Sequence, residues 1–173
     1  MPFDRQPVLP GALVHLRPLS LSDFDALFAV ASDPAIWEQH PDRYRYEEPR
    51  FRVFFNDAID SGGALIASDR ATGRIIGSSR FHGYDEARRE VEIGWSFLAR
   101  SHWGGRYNGE MKRLMLQHAF TFVDRVIFLI GTQNLRSQRA VERIGAVRAG
   151  SRLADGVDSF VYEITAAAFM RGV

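Results

Sequence analysis

The chain has 173 residues, 46% of them hydrophobic and 25% charged, with a formal net charge of +1. That length suits one domain with a sizeable core, and so balanced a charge gives no electrostatic footprint for nucleic acid. The absence of cysteine excludes disulfides, thiolate catalysis and Cys-based zinc sites.

Residues 1–10 lack a basic stretch followed by an apolar run, so they do not read as a secretory signal. No apolar run approaches the roughly 20 residues of a membrane span. The expectation is a cytoplasmic protein that engages no membrane.

Residues 12–19 read as a first strand, apolar at Leu13, Val14 and Leu16 and stopped by Pro18. Ser22, with Asp25 three residues on, approximates a capping box. Phe24, Leu27, Phe28 and Ala31 follow at helical spacing until Asp33-Pro34. Residues 34–46 form a loop or short helix containing Trp37, His40, Arg43 and Tyr44. A second helix starts near Glu47, carries a stripe of Phe51, Phe54, Phe55, Ala58 and Ile59, and closes at Gly62-Gly63. Strands at 64–68 and 75–81 flank the hairpin signal Asp69-Arg70-Ala71-Thr72-Gly73, and a third strand spans 90–98. A long helix over about 107–123 has Met111, Leu114, Met115, His118 and Phe122 on one face. The continuous apolar run 126–131 predicts a strand buried on both faces. A short helix at 137–144 ends at Gly145, and strands at 147–153 and 159–164 surround the turn Asp155-Gly156.

Two places carry chemistry. The first is the junction from Glu92 to Asn108, where a strand passes through a Gly-bearing turn into the long helix. Free backbone N–H groups and the positive end of the helix dipole converge there, which suits a phosphate; an ordinary strand-to-helix loop is the alternative. The turn is neither a P-loop nor a dinucleotide fingerprint, because Gly-Lys-Ser/Thr and G-x-G-x-x-G are both missing. The second is Asn134-Leu135-Arg136-Ser137, at the carboxyl end of the apolar strand, where ligands of open sheets gather. Asn134 and Ser137 are also good helix caps.

The segment Glu92 to Gly145 resembles the acyl-CoA-binding core of the GNAT N-acetyltransferases, nearest to the branch containing ribosomal-protein alanine N-acetyltransferases. The resemblance rests on Glu92-Ile93-Gly94-Trp95, on Trp103-Gly104-Gly105-Arg106-Tyr107-Asn108-Gly109-Glu110, and on Asn134-Leu135-Arg136-Ser137 followed by Gly145. The segments His15-Leu16-Arg17-Pro18-Leu19 and Tyr162-Glu163-Ile164-Thr165 also look like this branch. It implies an α/β fold: a mixed, mostly antiparallel sheet with helices on both faces, in one domain over 12–169. Residues 1–11 would be an N-terminal extension and 170–173 a tail.

The resemblance further implies direct acetyl transfer from acetyl-CoA, as co-substrate, to an amine such as a protein N-terminus or a small molecule. The family's phosphate loop, Gln/Arg-x-x-Gly-x-Gly/Ala, falls on Trp103, Gly104, Gly105, Arg106, Tyr107 and Asn108. Trp103, Arg106 and Asn108 depart from its signature positions. Arg106 would add a phosphate contact, or crowd the loop if its φ must be positive. Leu98, with Phe97 beside it, matches the backbone N–H that polarises the thioester. Asn134 and Ser137 join the cofactor-binding set.

Glu92 is the expected general base, since partial burial raises a carboxylate pKa; its plain alternative is a strand-pairing Glu. His102 is a rival. The Tyr acid of many GNAT enzymes is replaced by Val141 here, so Ser137 is the expected acid. Trp37, His40, Tyr44 and Trp95 are candidates to line the acceptor site, or, for the two tryptophans, to fill the core. His118 reads as a core or interface histidine, and His15, His40 and His82 show no ligand spacing, so no metal is expected. The closing strands offer a surface for a homodimer. A catalytically weak CoA-binding sensor is the alternative function.

Overall fold

In the computed structural model, which describes residues 2–172, the chain forms one eight-stranded sheet. The strands are β1 (Leu9–Pro10), β2 (Val14–Pro18), β3 (Ala64–Asp69), β4 (Ile75–Asp85), β5 (Glu90–Leu98), β6 (Arg125–Gly131), β7 (Val147–Ala154) and β8 (Val157–Thr165). Their spatial order is β1-β2-β3-β4-β5-β6-β8-β7. Every neighbouring pair is antiparallel except β5 and β6. A parallel pair needs a crossover, and the helix α3 (Arg106–Ala119) supplies it.

The helices cover both faces. On one, α3 and α4 (Leu135–Arg143) bury Met111, Met115, Leu116 and Val141 against Leu16, Phe81, Val91, Ile93 and Val126. On the other, α1 (Phe24–Ala31) and α2 (Glu48–Ser61) build an aromatic cluster from Phe24, Phe28, Phe51, Phe54 and Phe55, joined by Trp37 and Phe97. Their rings meet at centroid distances of 5.0 to 6.4 Å, in the range where aromatic pairs each add about 0.5–1.5 kcal/mol beyond their area. This second cluster fills the space between α1, α2 and the sheet.

The first helix is capped earlier than its sequence suggested. Ser20 is the cap and a 3-10 turn at Leu21–Asp23 precedes α1. Asp23, not Asp25, closes the box: its Oδ2 accepts from the Ser20 N–H at 2.9 Å, and both carboxylate oxygens accept from Arg17, at 2.7 and 2.9 Å. That bidentate ion pair outweighs the local signal at Ser22. At the other end of the chain a short helix α5 (Ala166–Arg171), capped by Thr165, follows the last strand. The long crossover helix stops at Ala119, with Phe120–Val123 in tighter turns. The N-terminal residues are not a loose tail: Phe3 is buried against Phe81, Tyr84 and Phe122.

One side chain ties α3 to the sheet edge. Glu110 accepts from the backbone N–H groups of Ala12, Leu13 and Val14 at 3.1, 2.6 and 2.7 Å. Burial works to raise its pKa, but these three donors outweigh it and hold the pKa below the usual Glu value. A lowered folded-state pKa stabilises the fold above the unfolded pKa, and that contribution is lost as pH falls through the folded value. Glu110→Ala leaves buried donors unpaired, so we expect a loss on the order of 3 kcal/mol at pH 7 in urea unfolding. The difference from wild type should shrink as pH falls below the usual Glu range and through the lowered folded-state value, where wild-type Glu110 protonates.

Candidate functional site

The site begins where β5 leaves β6. The two strands pair only at Glu90, Val91 and Glu92. Beyond Glu92 the strand bulges: Ser78 pairs with Phe97 and Arg80 with Gly94, so Trp95 and Ser96 together oppose Ser79. Trp95 takes φ +52°, a conformation rarely seen for a bulky side chain and a frequent mark of functional sites. Gly94 and Trp95 therefore fall on the same face, Ser96 turns to the α3 side, and Phe97 joins the aromatic cluster.

Beneath the bulge lies the chain's single lysine. Lys112, on α3, is 4% exposed. Its ammonium donates to Ser79 Oγ at 3.3 Å and to Ser96 Oγ, and the two hydroxyls are 2.7 Å apart. No carboxylate pairs with it among the described residues, and burial pushes its pKa down to about 7. In the sequence Lys112 stands out only as the one lysine of an arginine-rich chain, which reads as composition rather than function; its place on an otherwise apolar helix face was the signal.

The turn after β5 leads into a helix start with free backbone donors. Gly104 and Gly105 take φ of +110° and +98°. α3 starts at Arg106 without a side-chain cap, so the N–H groups of its first turn, at Arg106, Tyr107 and Asn108, have no intrahelical partner. Arg106 itself is helical: the two glycines bear the left-handed turn, and Arg106 does not crowd it. Arg143 of α4 extends to this turn, with Nη1 3.7 Å from the position a Cβ on Gly105 would take. Trp103 pins the turn to the strand, its indole N–H donating to the Leu98 carbonyl at 2.9 Å, and the Arg136 guanidinium stacks 4.2 Å over the indole. Across the gap, Asn134 caps α4 by accepting the Ser137 N–H at 3.3 Å.

Glu92 stands at the point of divergence, half-buried on the α2 face. Burial raises its pKa to about 7, with Arg152 and Arg80 working against the rise and Asp155 adding to it. Beside it a cavity of about 430 Å³ is walled by Phe54 and Asp57 of α2, Arg45 of the preceding loop, Arg80, Trp95, and Asp155 of the β7–β8 turn, among others.

A family model described as "Acetyltransferase (GNAT) domain" matches residues 14–147. The chain belongs to the GNAT acetyltransferases. Solved structures agree on the fold of this GNAT enzyme. A GCN5-related N-acetyltransferase from Brucella melitensis superposes with a TM-score of 0.86 at 21% identity, over 98% of this chain and 83% of that one. An acetyltransferase from Agrobacterium tumefaciens str. C58 gives 0.73 at 25% identity, over 91% and 94%. Mycobacterium smegmatis RimJ, in complex with CoA-disulfide, gives 0.67 at 21% identity, over 92% and 85%. No curated protein matches the sequence.

The GNAT frame brings Glu92, Phe97, Leu98, the 103–108 turn, Asn134 and Ser137 around the parting of β5 and β6. It spreads the expected acceptor residues more widely. Trp37 is 3% exposed, its indole N–H donating to the Ala31 carbonyl at 2.8 Å, and it packs on Phe97. His40 accepts the Asp42 N–H at 2.9 Å, and burial together with Arg45 drops its pKa to about 4. Tyr44 is exposed. Of these four only Trp95 lines the cavity. His102 is tied elsewhere, Nε2 to Asp69 at 3.0 Å and Nδ1 to Ser101 at 2.8 Å. His118 anchors the N-terminal segment through the Asp4 carbonyl at 2.7 Å. The cavity's arginines and Asp57 escaped the sequence reading, because nothing local distinguishes them from surface charges.

Lys112 gives a test of the bulge's energetics. Its folded pKa is depressed, so its burial penalty is fully present below about pH 7 and is relieved as pH rises toward the ordinary value near 10.4. Lys112→Met should be more stable than wild type at pH 6, with the gap closing by pH 9.5. Chemical unfolding at the two pH values measures it; a less stable variant at pH 6 would mean that the ammonium's hydrogen bonds outweigh its burial.

Proposed function

We propose that this enzyme transfers the acetyl group of acetyl-CoA directly to a primary amine, with Glu92 as general base. One observation carries the reading: a carboxylate that titrates near neutrality stands where β5 parts from β6, next to a cavity. A base working at neutral pH needs such a pKa.

The residues present fit the co-substrate. The uncapped first turn of α3, the left-handed Gly104-Gly105 pair and the Arg143 guanidinium suit a pyrophosphate. Acetyl-CoA supplies the activated acyl group as a thioester. The backbone N–H groups of Phe97 and Leu98 are assigned to its carbonyl oxygen, where negative charge develops. Glu92 takes a proton from the amine, the new C–N bond forms as the C–S bond breaks, and Ser137 delivers a proton to the departing sulfur. The proton removed at nitrogen is thus balanced by one gained at sulfur. The resemblance of the motifs to the ribosomal-protein alanine branch favours a peptide N-terminus as one acceptor class; small amines are the other.

Glu92→Gln should lower kcat by about 10²–10⁴ while CoA binding, read by calorimetry, stays unchanged. In the wild type kcat/KM should fall below about pH 7, because only unprotonated Glu92 accepts the proton. An unchanged rate in the variant would remove Glu92 as base. A protein that binds CoA yet releases no thiol with any amine would favour the sensor alternative.

Gly105→Ala forces a side chain into a left-handed turn, and Arg143→Ala removes a cation from it. Each should weaken CoA about tenfold, since a charge-assisted contact is worth roughly 1.5–3 kcal/mol when fully formed. Only the Arg143→Ala loss should diminish with added salt.

A further inference from the structure

The cavity wall contains buried guanidinium nitrogens that have no hydrogen-bond partner among the described residues. Arg80 is 5% exposed, and its Nε and Nη2 have no hydrogen-bond partner among the described residues; the Arg45 Nε, 3.6 Å from Asp42 Oδ2, makes an ion pair but no hydrogen bond. Aromatic rings support them instead. The Arg80 guanidinium lies 4.4 Å from the Trp95 ring and the Arg45 guanidinium 4.6 Å from the Phe54 ring. Asp57 acts on both through space but hydrogen-bonds to none of the unpaired nitrogens. Asp42 is engaged by Arg50 at 3.1 Å and by Arg45 at 3.6 Å. Burial lowers the pKa of Arg80 to about 10, so it remains a cation at neutral pH. A buried, charged, planar fork of donors without an acceptor is unfavourable by itself and matches a carboxylate in shape.

Register places this fork beside the base. Arg80 pairs with Gly94, two residues from Glu92 on the same face of β5. Diagonal neighbours on antiparallel strands lie about 7–8 Å apart, a gap that one small molecule with an amine and a nearby carboxylate spans. The carboxylates lining the same space are Asp42, Asp57 and Asp155, and Glu92 is close enough to feel both Asp155 and Arg80. The cavity thus offers anions for an ammonium and, in Arg80, a cation with no ion-pair partner among the described residues for a carboxylate.

We propose that the amine acceptor carries a carboxylate close to its amine, and that Arg80, assisted by Arg45, receives it. The acceptor class is amino-acid-like: a free α-amino acid, or a peptide whose first residue is acidic. The proposal rests on the acetyl-transfer reading and narrows its substrate.

The test compares matched acceptors with the full-length enzyme and acetyl-CoA, following thiol release. α-Amino acids are set against their α-carboxamides, and peptides beginning with Asp or Glu against those beginning with Asn or Gln. One of the two pairings should favour the carboxylate by about 10–100-fold in kcat/KM, and which one does so identifies the source. Arg80→Gln should bring that ratio toward one, and Arg80→Lys should keep part of it. Arg45→Gln, which leaves β4 untouched, should lower it less and serves if Arg80→Gln does not fold. Turnover with equal rates for carboxylate and amide would overturn the proposal while leaving acetyl transfer standing. If no acceptor supports turnover, the transfer reading fails. Calorimetry of N-acetylated amino acids and peptides with CoA present then decides the carboxylate site alone, and binding that does not depend on Arg80 and Arg45 overturns it.

Discussion

The early parting of β5 from β6 is the constraint on which the rest of this molecule depends. Two parallel strands in mid-sheet would ordinarily satisfy each other's backbone along their length. Here the ladder holds from Glu90 to Glu92 and then opens. The extra residue at Trp95 is the local cause, because a bulge bends its strand and adds twist. On the β6 side the strand past Ile93 therefore presents backbone groups to a gap. At the far end of the same strand, α3 starts with free N–H groups of its own. Unpaired strand edge and uncapped helix start thus open on the same gap, two consequences of one irregularity.

The bulge is held from both faces, by groups that burial disfavours when charged. Strain at a non-glycine residue with positive φ is about 1–3 kcal/mol, and it persists only when neighbours over-determine the conformation. Below the sheet, Lys112 joins the hydroxyls of Ser79 and Ser96, the residues that face each other across the bulge. Above it, the Trp95 ring lies between the guanidinium of Arg80 and the imidazole of His82, whose centroid is 5.1 Å away. Glu92 and Lys112 are thus shifted in opposite senses by the same cause, each toward its neutral form near pH 7. Such perturbed groups gather where geometry serves chemistry rather than stability alone.

How far the sequence disclosed this follows from the range of each interaction. The bounds of β5 agree with the reading because alternation and turn signals are local, and α2 closes at Gly62, with φ +63°, because a left-handed cap favours glycine. The Glu92 position and both loop-to-helix turns were visible for the same reason. Local signals were overruled, or one of two open readings decided, where a partner on a neighbouring element intervened. Arg17 from β2 moved the first cap from Ser22 to Ser20, and the buried Trp37 gave its indole N–H to Ala31 rather than to a ligand. Arg80 looked like one polar residue in a strand. Only the fold shows it enclosed between α2 and β5, with nothing to bond.

The phosphate turn shows why departure from a family pattern need not change what the turn does. Anion recognition at a helix start depends on backbone N–H groups, which every residue but proline supplies. The family's glycines matter through φ, and that demand is met here one step earlier, by Gly104 and Gly105. Once the left-handed turn is complete, the next residue is ordinary helix and any side chain is allowed, so Arg106 is admitted at no conformational cost. Its side chain is exposed, while the Arg143 guanidinium reaches the turn from α4, so a cation stands beside the free backbone donors even where the motif looks most degenerate.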